Sequence, residues 1–292
     1  MTIVNSEAVW IGSSHPFDLH AAYLCFRSPG SWQLSERPQR AELLITADSR
    51  YRLWVNGQPV ARGPARCYPH AQSVDRLDLT PYVRAGPNLL AVQVYQPGYS
   101  HFAYVHRANA GLLATLECDG EPALVTDVAW RVRRDLSYNE LVPRMSIYQA
   151  GVEDRDLSLV DSWSMPGYDD SGWMAARIVA AVGDAPWSGL IERLLPLVVE
   201  RELPMKLLWV RQGPYPAIQS NDAHKALRAS WAAGVEISQR IGDSEFGRGA
   251  AVKVDDEEWY HVSLETGEAA TWVFDLGRGF TCLGQVEVKG AQ

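Results

Sequence analysis

The feature that most constrains this chain is a short run of alternating residues that ends in an Asn-Gly pair. Within Arg50–Gly57, one face carries Tyr51, Leu53 and Val55 and the other carries Arg50, Arg52 and Trp54. This period of two is typical of a strand with one face against a core. Asn56-Gly57 is a favoured pair for a type I′ turn, because both central residues need a positive φ. The pattern predicts a β-hairpin between Tyr51–Val55 and Gln58–Arg62. Pro59 places the second arm at a sheet edge or leaves its N–H side unpaired, because proline cannot donate to a ladder.

The same alternation recurs along the first half of the chain, where no helical pattern of about 10–15 residues separates the strand signals. Turn-forming clusters, such as Ala85–Asn88 and Asp119–Pro122, stand between them. Strands are predicted at Ala41–Ala47, Leu90–Val94, Leu112–Leu116 and Val128–Val132. Many short antiparallel strands joined by turns predict an all-β fold of the jelly-roll β-sandwich type.

In the second half the strand pattern gives way to turn formers and weak helical patterns, and this change predicts a second domain. The segment Trp163–Trp173 is rich in turn formers, Ser188–Val198 could hold one short helix that Pro196 interrupts, and Asp222–Ile241 has the longest helical pattern. Later strands are predicted at Trp259–Leu264, Thr271–Leu276 and Gln285–Lys289. We therefore expect a jelly-roll, carbohydrate-binding-like domain over residues 1–198 and a second, incomplete β-sandwich over residues 199–292.

Charge and cysteine usage narrow the function classes. The formal net charge is −8 and basic residues do not cluster, which argues against nucleic acid as a partner. No apolar run approaches the roughly 18–20 residues of a membrane span, and the first residues resemble no secretory signal. The four cysteines never form a Cys-x-x-Cys pair. They fit the small apolar residues of a protein in a reducing, cytoplasmic compartment.

Catalytic motifs are not recognisable in the sequence. It contains neither a nucleophile elbow, nor a phosphate-binding glycine loop, nor a His-Glu-x-x-His zinc motif. The clearest carboxylate groups are Asp169-Asp170 and Asp255–Glu258. Neighbouring side chains on an extended chain point to opposite faces, so neither run forms the facing pair that glycoside hydrolysis uses. A solvated turn is the preferred interpretation of Asp255–Glu258.

Several segments, taken in order, carry a family resemblance. Ala47-Asp-Ser-Arg-Tyr-Arg-Leu-Trp-Val-Asn-Gly57 is the most distinctive of them. The others are Ala61–Arg66, Leu77–Asn88, Ala91–Val94, Glu153–Arg155, Trp163, Pro166–Trp173, Ala175, Val273–Arg278, Gly284 and Val288–Gly290. Together they resemble the N-terminal β-sandwich region of bacterial α-L-rhamnosidase-type glycoside hydrolases, whose first sandwich is similar to galactose-binding-like jelly rolls.

The resemblance implies an accessory role. In this family the acid and base carboxylates belong to an (α/α)₆ barrel that follows the sandwiches, and the present sequence stops where that barrel would begin. We therefore expect a chain that does not catalyse on its own, binds or positions rhamnose-containing glycans, and braces a barrel supplied by a parent hydrolase. The sequence leaves open a purely structural or protein-interaction sandwich without a ligand.

The loop from Gln96 to Arg107 is the candidate binding face, because long loops in compact domains often carry function. Aromatic rings with a few aimed polar groups are a common way to hold neutral sugars. The candidate carbohydrate-binding residues are Asp48, Arg50, Arg62, Arg66, Tyr99, His101, Tyr104 and His106. The alternative is that the aromatic residues only cap the end of the sandwich and the histidines lie on the surface.

Two questions about Asp48 stay open at this level. Asp48 and Arg50 could pair with each other or line a sugar-binding face. Some sugar-binding jelly rolls hold a calcium ion, for which Asp48 and Asn56 are possible oxygen donors, so calcium is a candidate cofactor.

Overall fold

The computed structural model describes residues 4–13, 20–30, 32–68, 70–107, 110–142, 144, 148, 150–151 and 153–197. It also describes the strand backbones 206–214, 251–254, 257–260 and 268–275. The chain divides into two compact units, Met1–Pro196 and Leu197–Gly290.

The described residues of the first unit form short strands and one 3₁₀ turn, Leu157–Leu159. The strands are β1 Val9–Gly12, β2 Ala22–Arg27, β3 Gln33–Leu34, β4 Ala41–Asp48, β5 Arg50–Val55, β6 Gln58–Gly63, β7 Gln72–Asp78, β8 Gly86–Pro87, β9 Leu90–Gln96, β10 Gly111–Cys118, β11 Glu121–Val125, β12 Arg131–Arg134, β13 Met174–Ala175, β14 Arg177–Ala181 and β15 Leu190–Glu192.

Two sheets form a sandwich. The first has the order β14-β1-β10-β4-β7-β15, with β11 paired to β10, and the second has the order β13-β12-β2-β9-β5-β6. One buried apolar cluster joins side chains of both sheets, among them Ile45 and Leu112 from the first and Phe26, Leu53 and Val92 from the second. The predicted all-β sandwich is therefore confirmed.

Both outer faces of this sandwich are also covered. On the first sheet, Trp10 stacks on Trp187 with ring centroids 4.0 Å apart, and the pair is buried with Leu113. On the second sheet, Trp163 and Trp173 pack in a separate buried cluster. The central strands are thus buried on both faces, which explains their nearly continuous apolar sequences.

The segment that covers the second sheet is held by a buried arginine. Arg27 donates to the Asp170 carboxylate at 2.7 Å, to the Met165 carbonyl at 3.1 Å and to the Trp163 carbonyl. Since only 6% of the Arg27 side chain is exposed, these acceptors replace the water that its charge would otherwise lack. The turn predicted before Trp173 is confirmed, with Trp173 as a buried anchor.

The predicted hairpin is confirmed. Strand β5 pairs with β6, which is the last strand of its sheet, and Asn56 and Gly57 have φ of 51° and 84°. Asn56 also fixes the turn from within, because its side chain donates to the Tyr82 carbonyl at 2.9 Å and accepts from the Leu89 amide at 3.0 Å.

Two predictions for the first unit need correction. The predicted helix over Ser188–Val198 is wrong, because strand β15 lies there and takes its backbone hydrogen-bond partners from β7 by parallel pairing. The strand predicted over Val128–Val132 begins only at Arg131, since the Asp127 carboxylate accepts from the Ala129 amide at 2.8 Å and makes a turn.

The second unit is described by two antiparallel strand pairs. Strand β16 (Lys206–Pro214) pairs with β19 (Glu268–Asp275), and β17 (Ala251–Val254) pairs with β18 (Glu257–Tyr260). The strands predicted near Trp259 and Thr271 overlap β18 and β19. The helix predicted over Asp222–Ile241 and the strand predicted over Gln285–Lys289 lie outside the described residues.

Candidate functional site

A pocket of about 100 Å³ lies in the first unit, where strand β4 passes into β5 beside the loop that follows β9. We call it the Asp48 pocket. It is lined by Ala47, Asp48, Ser49, Arg50, Pro64, Ala65, Arg66, Cys67, Gln72, Ala103, Tyr104 and Arg107. Three separate segments therefore meet there: the β4–β5 junction, the β6–β7 loop and the loop after β9.

Asp48 is the buried acidic group of this pocket, with 1% of the residue exposed. Its carboxylate accepts a hydrogen bond from the Tyr104 hydroxyl at 2.6 Å and another from the Trp187 indole nitrogen at 2.8 Å. Burial raises the pKa of Asp48, against the opposing effect of these hydrogen bonds and of the Arg107 charge. Asp48 thus serves as an internal anchor whose two oxygens are both engaged.

Arg107 is the buried cation of the pocket. Its Nη1 donates to the Gln72 side-chain oxygen at 2.5 Å and lies 3.7 Å from the Asp48 carboxylate. Gln72 is itself fixed, since its amide nitrogen donates to the Thr46 hydroxyl at 2.9 Å. Only 5% of the Arg107 side chain is exposed, and its Nε has no hydrogen-bond partner among the described residues.

Two further arginines line the pocket and are exposed. Arg66 donates to the Phe102 carbonyl at 2.7 Å, and its guanidinium lies 5.5 Å from the Phe102 ring centroid. Arg50 makes no side-chain hydrogen bond or ion pair with the residues that the structure describes. Together with Arg107 they give the pocket three positive charges beside one carboxylate.

The structure brings together four of the eight candidate residues. Asp48, Arg50, Arg66 and Tyr104 all line the pocket. The cation nearest to Asp48 in the ion pairs of the described residues is Arg107, and Asp48 and Arg50 both line the pocket. A sugar-binding role for them stays a prediction.

The aromatic candidates stand around Tyr104. Its ring centroid lies 5.7 Å from that of His101 and 6.3 Å from that of His106, and Tyr99 lies 6.5 Å from His101. Burial, followed by the charges of Arg50 and other arginines, lowers the pKa of His101. The lowered pKa favours the neutral form of the His101 ring.

Tyr99 and Arg62 lie away from the lining. The guanidinium of Arg144 covers the Tyr99 ring at 5.0 Å from its centroid. Arg62 is in β6, opposite Arg52 of β5. The exposed ring that accompanies the pocket is instead Phe102, which is 66% exposed.

Sequence reasoning missed Gln72 and Trp187, and it named Arg107 only as the end of the candidate loop. Trp187 is 139 residues from Asp48 in the chain, so no local pattern could connect them. Gln72 is the first residue of strand β7, and nothing in the local sequence indicates that this polar side chain is buried. The only available signal was that the β6–β7 loop could reach the same end of the sandwich as the loop after β9.

The oxygens proposed for calcium are engaged within the protein. Asp48 accepts from Tyr104 and Trp187, and the Asn56 side-chain oxygen accepts from the Leu89 amide. Among the described residues, no group of three or more His, Cys, Asp or Glu side chains could hold a metal ion. These two residues do not fit a calcium site.

The Asp169-Asp170 pair has structural partners. Asp169 accepts from the Ser171 amide at 3.0 Å, and Asp170 pairs with Arg27. Residues 255 and 256 lie outside the described residues. Among the described residues, no helix is long and apolar enough to cross a membrane.

Comparisons with known proteins agree with this architecture. The family model of the α-L-rhamnosidase N-terminal domain matches residues 36–192, which is more than half of the chain. An α-L-rhamnosidase of Streptomyces avermitilis is 27% identical over 151 residues, which are 50% of this chain and 12% of that protein.

Two solved structures share the fold. A GH78 family rhamnosidase of Bacillus sp. GL1 is 36% identical, with a TM-score of 0.67 over 73% of this chain and 22% of that one. An α-L-rhamnosidase of Aspergillus terreus is 19% identical, with a TM-score of 0.50 over 72% of this chain and 25% of that one. The chain thus spans a quarter or less of the length of each of these relatives.

Proposed function

Because the chain belongs to the family of α-L-rhamnosidase N-terminal domains, we propose that it is the non-catalytic sandwich region of an α-L-rhamnosidase-type glycoside hydrolase. In this role it binds rhamnose-containing glycans at the Asp48 pocket and braces the catalytic barrel of the parent enzyme. The proposal keeps a cytoplasmic location, in which the free thiols of Cys25, Cys67 and Cys118 stay reduced.

The observation that carries the binding role is a fixed polar pocket next to an exposed ring. Tyr104 and Trp187 hold Asp48 in place, so the polar groups are arranged before a ligand arrives. Phe102 is 66% exposed, and its ring lies within cation–π distance of Arg66 at the pocket. A sugar can pack its C–H face on such a ring while its hydroxyl groups reach the pocket.

The bracing role draws on exposed apolar residues at the end of the first unit. Leu194 is 90% exposed and Leu195 is 68% exposed. Adjacent exposed leucines favour burial against a partner surface. For the bracing role, that surface belongs to the catalytic barrel.

Titration with L-rhamnose and with a rhamnosylated flavonoid, followed by NMR of the ¹⁵N-labelled protein, tests the binding role. We expect dissociation constants near 1 mM, or about −4 kcal/mol, with shifts in the loop after β9. Phe102→Ala should weaken binding severalfold, whereas Leu136→Ala, which removes an equally exposed side chain outside the pocket, should not.

Spectra that no rhamnosyl ligand changes would contradict the binding role. That result would favour the alternative without a ligand, in which the sandwich serves protein interaction alone and Leu194 and Leu195 are its contact residues.

A further inference from the structure

The Asp48 pocket has an excess of hydrogen-bond donors over available acceptors. Asp48 already accepts from Tyr104 and Trp187, and the Gln72 oxygen accepts from Arg107. The guanidinium groups of the lining arginines, by contrast, carry five N–H donors each and accept nothing. A sugar hydroxyl both donates and accepts, so it would use such a site only in part.

Arg107 gives the most direct sign of a missing acceptor. Its side chain is 5% exposed and lines the pocket, yet its Nε has no partner among the described residues. A buried donor without an acceptor destabilises the folded state, because it has lost its hydrogen bond to water. A ligand that supplies an oxygen there would remove this cost.

The two exposed arginines have donors to spare. Among the described residues, Arg66 makes one side-chain hydrogen bond, from Nη2 to the Phe102 carbonyl, so its other N–H groups have no acceptor there. Arg50 has no hydrogen-bond or ion-pair partner in the described part of the chain. Three guanidiniums with unused donors therefore surround one small pocket.

We propose that this pocket recognises the carboxylate of a uronic acid in the glycan, held by Arg50, Arg66 and Arg107. A carboxylate has acceptor oxygens only, and the planar guanidinium matches it in a two-pronged arrangement. The inference rests on the proposed glycan-binding role and narrows its ligand to an acidic glycan.

The charge distribution supports this assignment. The whole chain has a formal net charge of −8, which repels anions at long range. At the pocket the sign is reversed, with three arginines against one aspartate that is already paired. A local cationic site on an acidic protein selects an anion that is presented at that site.

D-glucuronate and D-glucose make a matched pair of probes, because they differ in the oxidation of C6 alone. Titration calorimetry and the Nε–Hε NMR signal of Arg107 are followed with each sugar at constant ionic strength. We expect glucuronate to bind about tenfold or more tightly than glucose and to shift the Arg107 signal. Its affinity should fall when the same titration is repeated at higher salt.

Variants of the two exposed arginines of the pocket separate a loss of binding from a loss of folding, because neither side chain is buried. Arg50→Gln and Arg66→Gln should each weaken glucuronate binding about threefold to tenfold, as expected for the loss of a charge-assisted hydrogen bond. Arg84→Gln removes an exposed arginine outside the pocket and should leave the affinity unchanged.

The outcomes separate this inference from the proposed function. Rhamnose binding without a preference for glucuronate over glucose overturns the uronate assignment and keeps the rhamnosyl-glycan role. Glucuronate binding without rhamnose binding supports the uronate assignment and contradicts the rhamnose specificity. Inorganic sulfate binding as tightly as glucuronate overturns the assignment to a sugar acid, and a pocket that responds to no probe overturns both proposals.

Discussion

Asp48 and Asp75 are two buried carboxylates on adjacent strands that share the same type of surroundings. Asp48 accepts from the Tyr104 hydroxyl at 2.6 Å, and Asp75 accepts from the Tyr51 hydroxyl at 2.5 Å. Each also has an arginine neighbour, and burial raises the pKa of both carboxyl groups. Strand β4, which ends at Asp48, pairs directly with β7, which contains Asp75.

The two sites differ in how tightly they are filled. Arg193 donates to Asp75 at 3.0 Å, and a Cβ atom added at Gly63 would collide with the Asp75 carboxylate. Arg107 lies 3.7 Å from Asp48, and an open pocket adjoins the pair. Arg193, like Arg107, has a buried Nε without a partner among the described residues, so the two sites differ in the pocket that adjoins Asp48 and gives a ligand access to the donors there.

Replacing the arginine at each site should give the largest difference between the two sites in the free energy of unfolding. Arg193→Met leaves the fully buried Asp75 without its cation, and we expect a loss of about 3 kcal/mol in the free energy of unfolding. Arg107→Met should cost about 1 kcal/mol, because Asp48 keeps two donors and water can enter the pocket.

Urea denaturation at pH 7 measures both losses on the same scale. Arg177→Met, at an exposed position in β14, controls for the general effect of replacing an arginine. Equal losses for Arg193→Met and Arg107→Met would show that the pocket does not distinguish the two carboxylates.

Removing the tyrosine hydroxyl at each site should again destabilise the protein more at Asp75 than at Asp48, but by a smaller difference. We expect Tyr51→Phe to destabilise by about 2 kcal/mol, because no water can replace the lost donor at Asp75. Tyr104→Phe should cost about 1 kcal/mol, since water in the pocket can donate to Asp48. Thermal unfolding checks both, and a larger loss for Tyr104→Phe would contradict the closed-versus-open interpretation.

The fold was predictable where the signal is local. Alternation and the Asn56-Gly57 pair predict the β5–β6 hairpin, since the turn geometry and the buried face are both encoded within a dozen residues. The strand at Leu190–Glu192 was not, because its conformation comes from parallel pairing with β7, more than a hundred residues earlier. Local propensity carries no information about such a partner.

The candidate site was predictable only in part, for the same reason. Asp48, Arg66 and Tyr104 stand out as polar or aromatic residues at strand ends and in long loops. The residues that fix them are Gln72 and Trp187, which come from a strand start and a late loop. Which loops meet at one end of a sandwich depends on strand order, and strand order follows from long-range pairing.

The smallest expected effect is the change in the free energy of unfolding with pH. A raised pKa means that the folded protein holds the proton of Asp48 or Asp75 more tightly than the unfolded chain. Between the ordinary aspartate pKa of 3.8 and the raised folded value, wild-type stability relative to Asp48→Asn or Asp75→Asn should therefore fall as pH rises. One proton sets a limit of about 1.4 kcal/mol per pH unit for each slope.

Asp161 provides a control of opposite sign. Burial alone would raise its pKa, but hydrogen bonds from Arg133, at 2.7 Å to both oxygens, and from Tyr168 lower it. Stability relative to Asp161→Asn should be retained above about pH 3.8 and lost as pH falls through the lower folded value. Urea unfolding from pH 3 to pH 7 measures all three differences. If the Asp48 difference followed the sign of Asp161, the Asp48 carboxylate would be stabilised by its donors more than it is penalised by burial, and the open pocket would be better paired than the closed Asp75 cluster, which would contradict the comparison.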